Sequence, residues 1–153
     1  MKTVYMVLLL AMMILQVEGC CQCKYGEVSF GRHCYQIRYY TTTSWQQAGQ
    51  NCAGSGGNLA SIRYPEEQNF ILGHVNTINS LYGYRVYWIG ANDLIPEGTY
   101  KWSDGSIYSY SKYIAFNTAA NDCMRLHSNG YWYMYPCSTT DTRYICKRKC
   151  RCV

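Results

Sequence analysis

The residues of this 153-residue chain whose types and spacing invite chemistry are ten cysteines, three histidines and the polar pair Asn121-Asp122. The cysteines are Cys20, Cys21, Cys23, Cys34, Cys52, Cys123, Cys137, Cys146, Cys150 and Cys152. An even number in a short exported chain predicts a disulfide framework. The Cys-x-Cys spacings at both ends do not form the paired Cys-x-x-Cys knuckles of structural zinc sites. His33, His74 and His127 stand isolated from one another. Neither a Gly-x-Ser-x-Gly elbow, a His-Glu-x-x-His pair nor a phosphate loop is present. Asp93 and Glu97 are four apart, but Pro96 and Gly98 mark their stretch as a loop. With every thiol expected oxidised and no nucleophile–base pair visible, the chain is read as a non-enzyme.

The elements that position these residues begin after the leader. Lys2 precedes an apolar run from Val4 to Leu15, and Gly19 closes the segment with a small residue. Residues 1–19 are read as a secretory signal peptide and 20–153 as one domain. That apolar run is short for a membrane span, so the mature protein is expected to be secreted and extracellular, with no transmembrane anchor. The formal charge is +5, part of it in Lys147-Arg148-Lys149-Cys150-Arg151. Such a run reads first as a solvated tail, and second as a contact for acidic polysaccharide, anionic lipid or a mineral-associated matrix. Nucleic acid is not an expected partner of an exported chain.

From Cys23 to Cys34, "CKYGEVSFGRHC" suggests a small hairpin punctuated by Gly26 and Gly31 and closed by its own bridge. "YQIRYYTTTS" alternates as a strand. Ser44 with Gln47 three residues on forms a capping box for a first helix. Trp45, Ala48 and Cys52 share one face of that helix, and Gly54, Gly56 and Gly57 end it. Pro65, Glu66 and Glu67 open a second helix. From Tyr84 the strand-like stretches "RVYWIGA", "GTYKWSDGS", "DCMRLHS", "GYWYMYPC" and "RYICKRK" follow, separated by Gly98, Asp104-Gly105 and Asn129-Gly130. Two early helices and a strand-rich second half make the fold class α+β.

"GGNLASI", "YWIGANDL", "EGTYKWSDGS", "DC" and "RYICKR" occur in that order. This ordered set resembles the C-type lectin-like domain over about 23–149, and the Trp88–Trp102 stretch is similar to small secreted invertebrate lectins of the perlucin type. The resemblance implies a double-looped domain with paired terminal strands and two helices flanking a small antiparallel sheet. It also implies the bridges Cys52–Cys146 and Cys123–Cys137, and Cys23–Cys34 as in long-form members. Cys20, Cys21, Cys150 and Cys152 then join the two ends of one chain, or else link two chains in a dimer. The intrachain arrangement is favoured by effective concentration; a dimer, covalent or not, is the alternative.

Sugar-binding members hold a Ca²⁺ ion, which requires six to eight oxygen ligands. The resemblance locates its donors in a Glu-Pro-Asn type triplet of the long loop, a Glu two residues before Cys123, and a Trp-Asn-Asp run before Cys137. Here the loop "YSKYIAFNTAANDC" has no Pro or Glu, the Glu position is Asn121 beside Asp122, and the run reads Trp132-Tyr133-Met134. Phenol and thioether are poor calcium donors, so no metal and no cofactor are expected. Tyr131, Tyr133 and Tyr135 fall on one face of that strand, opposite Trp132 and Met134. Tyr108, Tyr110, Tyr113 and Phe116 precede the same region. The candidate ligand-binding residues are Phe116, Asn121, Asp122, Arg125, Tyr131, Tyr133 and Met134, for a glycan or an extracellular protein. Innate immunity or a venom-type role is the setting; the competing reading is a structural component of extracellular or biomineral matrix.

Overall fold

The computed structural model describes residues 21–114 and 120–151. The leader, Phe116, Cys20 and Cys152 lie outside them. Strands β1 (Val28–Phe30) and β2 (His33–Thr43) form the expected hairpin, and Cys23–Cys34 closes it. Helix α1 (Trp45–Gly54) follows, then β3 (Asn58–Leu59) and α2 (Pro65–Tyr82). The second half supplies β4 (Tyr87–Asn92), β5 (Lys101–Trp102), β6 (Cys123–Leu126), β7 (Trp132–Tyr135) and β8 (Thr142–Lys149).

Local chemistry sets the helix starts. The Ser44 hydroxyl accepts the Gln47 N–H at 3.3 Å, which satisfies one of the orphan donors of α1. The expected capping box is only half made, because the Gln47 amide donates to Asn51 at 3.2 Å instead of reaching back. Pro65 opens α2, and the Glu67 carboxylate accepts the Arg63 N–H at 2.8 Å just ahead of the first turn.

One sheet runs in the order β1-β2-β8-β4-β6-β7, with β3 on β8 and β5 on β4. It is mixed, which corrects the expectation of a small antiparallel sheet. β4 and β8 pair in parallel (Tyr87 with Arg143, Trp88 with Tyr144), because the chain returns to the sheet centre through a long excursion rather than a hairpin. The larger core cluster includes Tyr87, Ile89, Trp102, Leu126 and Trp132; the smaller lies under α1 around Cys52, Leu59, Trp88 and Tyr144.

The bridges are Cys23–Cys34, Cys52–Cys146, Cys123–Cys137 and Cys21–Cys150. The last ties the two ends within one chain, beside a Gln22–Arg151 backbone bridge. The C-terminal basic run is not a solvated tail. Its first three residues end β8, and the adjacent Lys147 and Arg148 are drawn into ion pairs, while Lys149 and Arg151 stay exposed. Lys147 is buried against Glu67 and also donates to the Ser61 carbonyl at 2.9 Å. Arg148 meets Glu27 at 2.6 Å. Two of the charges expected to face a polyanion are therefore spent inside the fold.

Candidate functional site

The site is built on β6, β7 and the turn joining them. The turn needs Gly130 at φ 83°, a backbone conformation that a side chain at this position would oppose. Its N–H donates to His127 at 3.0 Å, while the Asn129 carboxamide accepts the Tyr131 N–H at 3.0 Å. The register then sets Tyr133 opposite Arg125 and Trp132 opposite Leu126. Period-two alternation puts Trp132 and Met134 inward and the tyrosines on the other face.

Gln68 of α2 fastens the inward side. Its carboxamide accepts from Trp132 Nε1 at 3.0 Å and donates to the Gly130 carbonyl at 2.8 Å. Trp102 and Tyr110 meet the Trp132 ring edge-on at 5.4 and 5.8 Å. Tyr108, Tyr110 and Tyr113 are partly buried and pack on this core, so they support the loop rather than extend an open face.

On the tyrosine side, Tyr131 is the most open at 41% exposure, with the Lys112 ammonium 5.8 Å from its ring. Tyr133 lies 4.5 Å from the His127 ring and accepts a hydrogen bond from Asn129 at 2.9 Å. Tyr135 covers the Arg125 guanidinium, 3.9 Å from its ring centroid, and Trp88 lies 4.8 Å from the same group. Arg125 also pairs with Asp141 at 3.0 Å. The pairing of adjacent strands sets Tyr133, Arg125, Trp88, Tyr144 and Arg38 opposite one another in turn, a row in which Arg125 lies between two aromatics and the Trp88–Tyr144 pair separates it from Arg38.

His127 was not among the sequence candidates, nor were Tyr84, Asp141 and Gln68. The Tyr84 hydroxyl sits 2.8 Å from His127 Nδ1, and His127 Nε2 is buried with no partner among the described residues. Burial, reinforced by the Arg125 cation, holds the imidazole down at about 4. The ring is therefore a neutral aromatic part of the face at physiological pH. A sequence signal existed: His127 is two residues from Arg125, the strand period that places both on one side.

The expected residues divide. Tyr131 and Tyr133 stand together on the open face. Met134 is only 6% exposed and belongs to the core, so it is corrected from a contact to a packing residue. Arg125 is 5% exposed and clamped between rings, a brace beneath the face rather than a contact on it. Asn121 and Asp122 are half-buried at the start of β6. The Asp122 carbonyl accepts the Asp93 N–H at 3.1 Å, and its Oδ1 is buried without a partner among the described residues.

Among the described residues the donors do not fit a calcium ion. Met134 is turned into the core, Tyr133 is engaged by Asn129, and what remains, Asn121 and the orphan Oδ1 of Asp122, falls short of six to eight oxygens. Among the described residues, the only group of three or more potential metal ligands is Cys21, Cys23 and Cys34. Their sulfurs are consumed in bridges.

The Lectin C-type domain family model matches residues 41–148, and the chain belongs to that family of non-enzymatic binding domains. It is similar to the mouse C-type mannose receptor 2, with 34% identity over 76% of this chain and 8% of that protein. It is similar also to the rat versican core protein, with 35% identity over 81% of this chain and 4% of that one. The chain thus spans less than a tenth of the length of these relatives. Among solved structures, the carbohydrate-recognition domain of cow CD23 aligns with a TM-score of 0.76 at 28% identity, covering 87% of this chain and 100% of that one. A calcium-independent type II antifreeze protein aligns with a TM-score of 0.72 at 25% identity, covering 85% and 96%.

Proposed function

We propose that this protein is a secreted recognition module that binds an extracellular glycan or protein without calcium, through the aromatic face of β7 and its turn. The observation that carries the reading is the orientation of the "WYMY" strand. The positions that would ligate an ion present a buried thioether and an engaged phenol, while tyrosines crowd the outward side. Tyrosine offers rigid amphipathic area at low entropic cost, suited to stacking on sugar rings or packing on a protein. The family membership supports a binding role without catalysis, and the fold is shared with a solved protein described as calcium-independent.

The perlucin-type and matrix readings are weaker, because Lys147 and Arg148 are already neutralised by Glu67 and Glu27. The test is a glycan array run with and without chelator. Selective binding that survives chelation and drops about tenfold in Tyr131→Ala/Tyr133→Ala supports the reading, two interface tyrosines being a loss of at least that size. Chelator-sensitive binding overturns it. So does an array without any selective signal combined with adsorption to chitin or carbonate.

A further inference from the structure

We infer that the open groove between the start of β2, the end of β8 and the loops around β3 and β5 is a second binding site, for a sulfated polysaccharide. The groove has a volume of about 510 Å³ and is lined by residues that include His33, Asn58, Arg63, Ser106 and Lys149. It sits at the β2–β8 end of the sheet, whereas the tyrosines are on β7 at the opposite edge. The inference is therefore independent of the tyrosine face.

Charge is the first argument. The one carboxylate in the lining, Asp104, remains an anion that offsets one cation, and its oxygens are occupied: Oδ2 accepts from the Ser61 hydroxyl at 2.6 Å, and Oδ1 from the Ser106 N–H and hydroxyl at 2.9 and 2.5 Å. Lys147 and Arg148 also line the groove, and their charges are matched by Glu67 and Glu27. What remains is a set of exposed cations with no ion pair among the described residues. Arg63 and Lys149 lie in the lining, and Arg32 and Arg151 flank His33 and Cys150 in the chain. The Lys24 ammonium adds a fifth, donating only to the Ser55 carbonyl beside Gly56. The balance is positive, and a concave surface of net positive charge raises the local concentration of an anionic ligand.

Placement is the second argument. The two unpaired cations of the lining come from different elements, Arg63 from the approach to α2 and Lys149 from the end of β8, which suits a ligand carrying more than one anion. Between them lie the Asn58 carboxamide, the Ser106 hydroxyl and the backbone of Gly56 and Gly57, hydrogen-bonding groups matched to sugar hydroxyls. The lining contains no Tyr, Trp or Phe on which nucleobases would stack. Gly57 keeps the trough floor closed on β8: a Cβ there would lie 2.5 Å from the Lys147 carbonyl.

The test uses the full, disulfide-bonded chain on immobilised heparin in about 0.15 M salt, where charges beyond roughly 8 Å are screened. Retention is expected on heparin and absent on fully desulfated heparin. Arg63→Ser and Lys149→Ser each weaken binding about threefold and together about tenfold, the size expected of exposed charge contacts. Lys101→Ser, the same loss of charge elsewhere, changes it by less than about 1.5-fold. Tyr131→Ala/Tyr133→Ala leaves heparin retention intact, so failure of the tyrosine face is read separately. The inference is overturned if the wild type is not retained or if Lys101→Ser weakens binding as much as Arg63→Ser. Equal retention on desulfated heparin or on duplex DNA overturns it as well, as does loss of heparin binding in the tyrosine variant.

Discussion

Lys147 Nζ and Glu67 Oε1 meet at 2.5 Å with side-chain exposures of 6% and 0%, closing a charged pair between β8 and α2. Glu67 also accepts from the Tyr35 hydroxyl and the Arg63 N–H, so its carboxylate joins β2, β8 and the entry to α2. Removing one member of such a pair leaves the other charge buried. Glu67→Gln should therefore lower the unfolding free energy by about 3–5 kcal/mol. Glu67→Gln/Lys147→Met should lose less than the two single losses combined. Denaturant titration of the three variants measures both quantities, and additive losses would show that the pair is not coupled.

His127 predicts an acid-sensitive stability. An imidazolium there would need a second acceptor, and Nε2 has none among the described residues. Its folded value of about 4 lies below the ordinary 6.5 because burial, and then Arg125, disfavour the charged form. The unfolded chain takes up the proton first, so this contribution is complete above pH 6.5 and drains away as pH falls toward 4. Allowing for solvent screening of a half-buried ring, the loss is about 2 kcal/mol. Urea midpoints between pH 7 and 4 should fall in the wild type and fall less steeply in His127→Gln. Parallel slopes would refute the assignment.

Calcium should leave the protein unmoved. A site of micromolar affinity would add about 4 kcal/mol of stability at a thousandfold excess of ion over its Kd. The thermal midpoint is expected to be the same in calcium and in chelator, and calorimetric titration to give dilution heat alone. A midpoint that rises with calcium and is restored by Asn121→Ala/Asp122→Ala would contradict this.

Cys21–Cys150 spans 129 residues, but Cys52–Cys146 already closes 94 of them and Cys23–Cys34 a further 11, which leaves a ring of about 24. In the chain-entropy model that ring is worth about 3–4 kcal/mol, less than its separation alone suggests. Cys21→Ser/Cys150→Ser should lower stability by that amount while the domain still folds around its other bridges. Peptide mapping under non-reducing conditions should recover the Cys21–Cys150 link from monomer; recovery only from a covalent dimer would reverse the assignment.

Local signals were the legible ones. Ser44 and Pro65 mark the two helix starts because each satisfies backbone chemistry within a few residues, and Asn129-Gly130 marks its turn for the same reason. The parallel β4–β8 pair was not legible, since nothing local says which distant strands become neighbours. The burial in the basic run is masked by its charge, although the run keeps the strand period. Lys147 occupies a buried strand position, and Glu67 lies on the same helical stripe as Ile71 and Val75, a pattern that already marked that carboxylate as buried. Met134 was the converse case: alternation assigned it to the side opposite the tyrosines, and the core is where it packs.

The union of the two chain ends has an architectural outcome. Gln22 bridges Arg151 beside Cys21–Cys150, and in the sheet three strands (β8, β4 and β6) separate β2 from the tyrosine-bearing β7. Any stalk, tether or neighbouring module grafted onto either extremity would leave from one shared root. The aromatic ribbon would project from the distal rim, clear of its own attachment, and a row of such units on a common scaffold would hold their ribbons facing outward in the same sense.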